Sequence, residues 1–164
     1  MISNTMQNAI NTQINKELYS YYLYLAMSAH FTENNLEGFA HWLHVQADEE
    51  MTHAMKFYDF LLDRGGHVNL EAIAAPTATW KTTNELFDQV LAHEQMITAS
   101  INTLYELALK EKDYPSQVLL QWYINEQVEE EKNATFIIHQ LKMIDARGTA
   151  VLMLDKQLGK RGGS

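Results

Sequence analysis

The sequence contains no cysteine, which excludes disulfides, thiolate zinc sites and iron–sulfur clusters. Two prolines and seven glycines in 164 residues leave few of the marks that punctuate strand-turn-strand chains. No apolar run approaches the length of a membrane span. The opening "MISNTMQNAI" has neither a basic region nor an apolar stretch, so no secretory signal is expected. Positive charge is scarce too. Twelve basic against 21 acidic side chains give a formal charge of −9, which argues against nucleic acid or an anionic membrane as partner. What is present is 46% hydrophobic residues in a chain long enough for one domain with a sizeable core. A soluble, cytoplasmic protein whose acidic surface suits cations is the expectation.

Apolar residues recur at three- and four-residue steps through most of the chain. A first helix is predicted from about Thr5 to Thr32, its inner stripe running Ile10, Ile14, Glu17, Tyr21, Tyr24 and Leu25. "ENNLEG" interrupts it, with Asn34 or Asn35 as cap of a second helix that reaches about Arg64 along Phe39, Leu43, Ala47, Glu50, Ala54, Phe57 and Leu61. "RGG" stops that helix. "TTNE", near Thr82, has the spacing of a capping box and opens a third, with Phe87, Val90, Leu91, Glu94, Ile97, Ile101 and Leu104 inward. After "KDYP", with Pro115 in a first turn, the fourth follows Leu119, Tyr123, Gln127, Glu130, Ala134, Ile137, Leu141 and Ile144. "ARG" ends it, "TAVLMLDKQL" suits a short fifth helix, and "GKRGGS" is expected to be loose, with residues 161–164 as a flexible tail after a single domain over 1–160.

Short links make antiparallel hairpins of helices one with two and three with four. Helix two, roughly 29 residues, is about 43 Å long at about 1.5 Å per residue. The connector after it, about 17 residues, reaches roughly 56 Å extended and can return along the bundle, held by Val68, Leu70 and Ile73. The predicted fold is all-α: a four-helix bundle with one long crossover and a short C-terminal helix.

Each of the four inner stripes carries a glutamate: Glu17, Glu50, Glu94 and Glu130. Glu17 and Glu50 are 33 residues apart, and so are Glu94 and Gln127. His53 completes Glu-x-x-His after Glu50, whereas Gln127 is followed three residues on by Glu130. Residues i and i+3 share a helix side, so Glu50 and His53 can reach one ion. Carboxylates crowded into a core repel and lose hydration unless they bind cations or stay protonated. Four glutamates balance two divalent ions, and oxygen donors with an imidazole suit iron or manganese, with zinc as another possible occupant. Glu49, Glu126, Glu129 and Glu130 suggest a third, weaker cation position, although "EQVEEE" also reads as a solvated face. Tyr24, two turns from Glu17, is placed as a hydrogen-bond donor or electron source. Trp122 reads as packing, His30, His41, His44, His67, His93 and His139 as structural or surface, and the scattered methionines give no support for haem.

These segments match a family. "NKELYSYYLYLAM", "HVQADEEMTHAMKFYDFLLDRGG", "HEQMIT" and "LLQWYINEQVEEEK" together resemble the prokaryotic non-haem ferritins over nearly the whole chain. The resemblance implies a ferritin-like di-iron domain in a cage of 24 subunits that oxidises iron(II) with O2 or peroxide and stores ferric oxyhydroxide. It implies that Glu17, Glu50 and His53 hold one iron, and that Glu50, Glu94 and Glu130 hold the second, with Glu50 bridging. Gln127 becomes a nearby amide, hydrogen-bonding or weakly ligating, and Glu49, Glu126, Glu129 and Glu130 match a third iron site of some bacterial members. The fifth helix is expected at the cage's four-fold axes. Rubrerythrins and bacterioferritins require a second Glu-x-x-His where this chain has Gln127-x-x-Glu130. The mini-ferritins that protect DNA lack the fifth helix. Iron storage with ferroxidase activity is the leading expectation. A di-iron oxidase acting on an organic substrate and a non-catalytic acidic bundle are the alternatives.

Overall fold

The computed structural model describes residues 1–144 and 148–162. It contains five helices and, among the described residues, no strand: α1 (Asn4–Glu33), α2 (Glu37–Asp63), α3 (Thr83–Glu111), α4 (Tyr114–Met143) and α5 (Gly148–Leu158). The predicted stop of the fourth helix at "ARG" falls mostly on residues 145–147, outside those described.

Contacts run in opposite directions along each hairpin, so α1 with α2 and α3 with α4 are antiparallel. Near the first turn Phe31 stacks on Phe39 at 4.9 Å, while Glu17 meets Glu50 and His53 halfway down. In the second hairpin Gln117 reaches the Ala108 carbonyl, and Gln127 reaches Glu94. The first link differs from expectation. Asn34 and Asn35 do not cap α2; they end α1, with Asn35 at φ 58° and the Leu36 N–H returning to the Phe31 carbonyl. Asparagine tolerates that left-handed conformation, so the pair makes a C-terminal rather than an N-terminal signal. At α3, Thr82 accepts from the Glu85 N–H as predicted, while the Glu85 carboxylate takes the N–H of Lys81. Asp113 caps α4 through the Ser116 N–H, and Arg64 pairs with it at 2.9 Å, joining the end of α2 to the start of α4.

The crossover from Gly65 to Thr82 returns along α1. Its ties are polar: Gln7 accepts from the His67 N–H, Asn11 bridges His67 and Asn69, and Asn15 reaches the carbonyls of Glu71 and Ala72. Of the three apolar anchors expected, Leu70 is exposed, while Val68 and Ile73 are half-buried. Spaced four apart, Gln7, Asn11 and Asn15 form one outer face of α1 that supplies donors and acceptors to a strandless backbone.

Two apolar clusters fill the bundle. One, around Phe31, Phe39, Trp42, Phe87 and Leu141, also takes Leu154 and Leu158 of α5. The other gathers Met6, Ile10, Phe57, Leu61, Ile101 and Tyr123. The inner face of α1 uses Leu23, Tyr24, Met27 and Phe31, leaving the expected Tyr21 and Leu25 half-buried. α5 docks on the first turns of α2. The Asp155 carboxylate accepts the Phe39 N–H at 2.9 Å, serving as the cap that α2 lacks in its own sequence. Arg161, expected in the loose tail, bonds to Trp42 and Gln46 and pairs with Glu49, while residues 163 and 164 of that tail lie outside the described residues.

A Cβ on Gly38 lies 1.6 Å from the Asp155 carbonyl oxygen. Gly38→Ala therefore forces α5 off α2 and lowers unfolding free energy by about 1–3 kcal/mol, whereas Asp155→Ala costs about 1 kcal/mol through the lost cap. Urea titrations followed by circular dichroism measure both.

Candidate metal centre

Between the two apolar clusters lies a polar layer. Glu17, Glu50, His53, Glu94, Gln127 and Glu130 are all buried, none more than 7% exposed. They come from four helices because each occupies the position on its apolar stripe that falls at mid-bundle. Glu17, Glu50 and His53 each offer a ligand atom within 4.8 Å of the others, and they are the one such group of three among the described residues. The nitrogen of His53 that faces Glu50 is Nδ1, 3.5 Å from Glu50 Oε2. The turn carrying His53 is held by Tyr123, whose hydroxyl donates to the His53 carbonyl at 2.7 Å and whose ring stacks on Phe57. Trp122 sets its edge against the His53 ring.

Glu94 and Glu130 stand outside that closest group, each turned to neutral donors. Tyr24 donates its hydroxyl to Glu94 Oε1, and Gln127 Nε2 donates to Glu94 Oε2 at 3.1 Å. Gln46 Nε2 is shared between Glu50 Oε1 at 3.0 Å and Glu130 Oε2 at 2.9 Å, and so joins α2 to α4. Gln13 Nε2 donates to Glu17 Oε1 at 2.8 Å. Every inner carboxylate thus receives a side-chain amide. As an ionised carboxylate, Glu17 leaves Oε2 as the one buried side-chain N or O atom among the described residues without a hydrogen-bond partner. Protonated, it can share its hydrogen with Glu50. An orphaned buried carboxylate oxygen beside a second carboxylate and an imidazole fits a divalent cation.

Burial, then repulsion from Glu50, pushes the Glu17 carboxyl up to about 8. Burial followed by the neighbouring carboxylates holds Glu50 and Glu130 well above the usual range, and burial also raises Glu94. Without metal these raised carboxyls favour their protonated form, and a bound cation would take the place of the protons.

The proposed third position opens to the side. Glu49, Glu126, Glu129 and Glu130 line a cleft of about 520 Å³ with His53 and Arg161. Glu129 is exposed, Glu49 and Glu126 are half-buried, and Glu49 is already paired with Arg161. Of the remaining histidines, His93 is buried against Ser20 Oγ at 2.7 Å and held down to about 4 by burial, and His30 packs on Trp80. Gln13, Gln46 and Arg161 escaped the sequence reading, and Tyr123 was placed on the inner stripe of the fourth helix without its bond to His53. A signal existed for the two glutamines: each is four residues before an inner glutamate, and they too are 33 residues apart.

The pH dependence follows from the raised carboxyls. Unfolded, Glu17 ionises near 4.5; folded, near 8. Its contribution to metal-free stability is complete below pH 4.5, declines as pH rises and is gone above 8. Glu17→Gln removes this decline, so at pH 8 the metal-free variant is more stable than wild type by roughly a few kcal/mol. Subtracting the two stability-against-pH curves isolates this carboxyl from His93. Adding Zn(II) to unbuffered wild-type protein near neutral pH releases protons, read with an indicator dye, and Glu17→Gln releases fewer.

The fold is matched in known proteins. The model of the ferritin-like domain aligns with residues 7–144. The chain is 39% identical over 161 residues to the bacterial non-heme ferritin of Bacteroides fragilis strain 638R, covering 98% of this chain and all of that one. It is also 39% identical over 158 residues to that of Escherichia coli O157:H7, covering 96% of each. Among solved structures, a closed form of Archaeoglobus fulgidus ferritin engineered by site-directed mutagenesis superposes with a TM-score of 0.98 at 44% identity, over the full length of both chains. The open-pore ferritin from the same archaeon gives 0.97 at 44% identity, over 99% of this chain and all of that one. Family model, full-length relatives and backbone agree: the chain belongs to the ferritin family.

Proposed function

We propose that this protein is an iron-storage ferroxidase, taking iron(II) as substrate into the mid-bundle layer and keeping the oxidised product as a ferric mineral. The observation that carries the reading is the Glu17, Glu50 and His53 triad within 4.8 Å, buried in an otherwise apolar bundle. Glu17, Glu50 and His53 hold one iron; Glu50, Glu94 and Glu130 hold the second, with Glu50 between them and Gln127 orienting Glu94. Two iron(II) ions release two electrons. O2 takes them up with two protons to give hydrogen peroxide, or hydrogen peroxide takes them up with two protons to give two waters. The carboxyl protons displaced on binding are available for that step. Tyr24, already donating to Glu94, orients that ligand. Glu49, Glu126 and Glu129, around the side cleft, belong to a third and weaker iron position. No haem takes part.

Assembly into a 24-subunit cage in the cytoplasm completes the reading. α5 buries Leu154 and Leu158 on the bundle while exposing Leu152 and Met153, which suits a helix that also packs on other subunits. No helix among the described residues is long and apolar enough to cross a membrane. An organic substrate is disfavoured because four glutamates, Glu49, Glu126, Glu129 and Glu130, stand among the residues that line the cleft beside His53, a setting better suited to a cation.

Anaerobic protein mixed with iron(II) and then air develops ferric absorbance quickly in wild type. Glu50→Ala, which removes the shared ligand, slows the initial rate at least about a hundredfold, in keeping with loss of an essential metal ligand. Equal rates in the two proteins remove the assigned centre. Light scattering that finds a particle far smaller than 24 chains removes storage and leaves a plain oxidase.

A further inference from the structure

Gln13 and Gln46 are each about 1% exposed, and each donates to the glutamate one turn further along its helix. An amide fits such a site either way round, since its N and O ends have the same shape. Here the far side decides. Arg161 Nη1 donates to Gln46 Oε1 at 3.0 Å. Lys16 Nζ donates to Ser100 Oγ at 2.6 Å, and Ser100 passes its own hydrogen to Gln13 Oε1 at 2.6 Å. A guanidinium has no acceptor, so the Gln46 oxygen must face Arg161 and its NH2 the carboxylates. Lys16 takes a lone pair of Ser100 Oγ, which turns the hydroxyl hydrogen toward the Gln13 oxygen and favours the same direction there.

We propose that Gln13 and Gln46 are positioning residues for the iron site, and that Lys16, through Ser100, and Arg161 are the remote cations that set their direction. The inference rests on the iron-site reading above. Its consequence is that one oxygen of each of the two carboxylates carries a fixed donor on one lone pair, which sets the plane of the carboxylate toward the metal. Gln13 holds Glu17 Oε1 and leaves the orphaned Oε2 to the metal; Gln46 holds Glu50 Oε1 while Oε2 faces His53 Nδ1. A reversed amide would present its oxygen to the ionised carboxylate that binds metal, and that carboxylate would swing away; only the protonated, metal-free form tolerates it. Both cations lie on the outer parts of the bundle, half-buried, one bond or one hydroxyl away from the amides. The C-terminal segment thereby reaches the centre without touching it.

Anaerobic titration with Co(II), whose visible bands report ligand geometry and affinity, tests this without iron oxidation. Wild type is expected to take up two Co(II) per chain. Gln13→Met weakens uptake roughly tenfold, the loss expected for a hydrogen bond to a charged group, and changes the band shape. Lys16→Met shifts affinity and bands in the same direction by a smaller factor, and Lys16→Arg restores both. Lys16→Met/Gln13→Met binds no worse than Gln13→Met alone, because the cation acts only through the amide. Arg161 also pairs with Glu49, so its cycle with Gln46→Met is run in Glu49→Gln protein, with Arg161→Lys as the rescue. Cation variants that keep wild-type affinity and bands overturn the proposal, as do cation and glutamine losses that simply add. A wild-type chain that binds no Co(II) overturns the iron-site reading and this inference with it. Lys16→Met, at a half-buried position, decides the matter even if Gln13→Met fails to fold.

Discussion

Four carboxylates stand at the middle of a bundle whose two halves are otherwise apolar, and the rest of the structure accommodates them. Removing ionised groups from water without partners costs several kcal/mol each, more than a single domain's usual margin of stability can absorb. The chain answers in two ways. Protons stay on the carboxyls when no cation is bound, as the upward displacement of Glu17, Glu50, Glu94 and Glu130 implies. Neutral amides from Gln13 and Gln46 satisfy one oxygen each of Glu17, Glu50 and Glu130, and Gln127 with the Tyr24 hydroxyl satisfies both oxygens of Glu94. The aromatic cluster around Phe31 and Phe39 and the cluster around Phe57 and Tyr123 then close the layer from both ends.

Much of this was legible because the helical period is strict. A glutamate on an apolar stripe has no outward position to take, so Glu17, Glu50, Glu94 and Glu130 had to meet, and the 33-residue spacing repeated the arrangement. Connector length likewise forced the long crossover. What stayed hidden depends on rotamers or on distant partners. Asn34 and Asn35 are good residues at either end of a helix, and only the Leu36 N–H returning to Phe31 decides between them. The start of α2 has no capping side chain of its own, so no local pattern could reveal that Asp155 supplies one. Leu70 was expected inside by hydrophobicity, but the polar face of α1 holds the connector by its backbone, leaving that side chain in water.

The C-terminal segment shows how a weakly patterned stretch becomes structural. Gly38 lets the backbone of α5 approach α2 closely, Asp155 ends the first turn of α2, and Arg161 lies over Trp42 at 4.4 Å with its guanidinium on Gln46 and Glu49. Each contact alone is modest. Together they fix the first three turns of α2, the part of the helix that leads into Glu49 and Glu50. The end of the chain, α5 with Arg161 beyond it, is therefore tied to the stretch of α2 that carries Glu49 and Glu50.

The choice of amides rather than cations as immediate partners has a physical reason. A lysine or arginine placed directly on Glu17 or Glu50 would stabilise the ionised carboxylate, and it would also cancel the charge that draws a divalent ion. It would then compete with the metal for the same lone pairs. Glutamine donates without cancelling charge, but its two ends are nearly interchangeable, so alone it orients poorly. Setting the cation one hydrogen bond beyond Gln46, and one hydroxyl further out for Gln13, counters that ambiguity while keeping positive charge away from the carboxylates. Glu49 marks the limit of the arrangement: it lies outside the layer, and there the guanidinium of Arg161 pairs with a carboxylate directly.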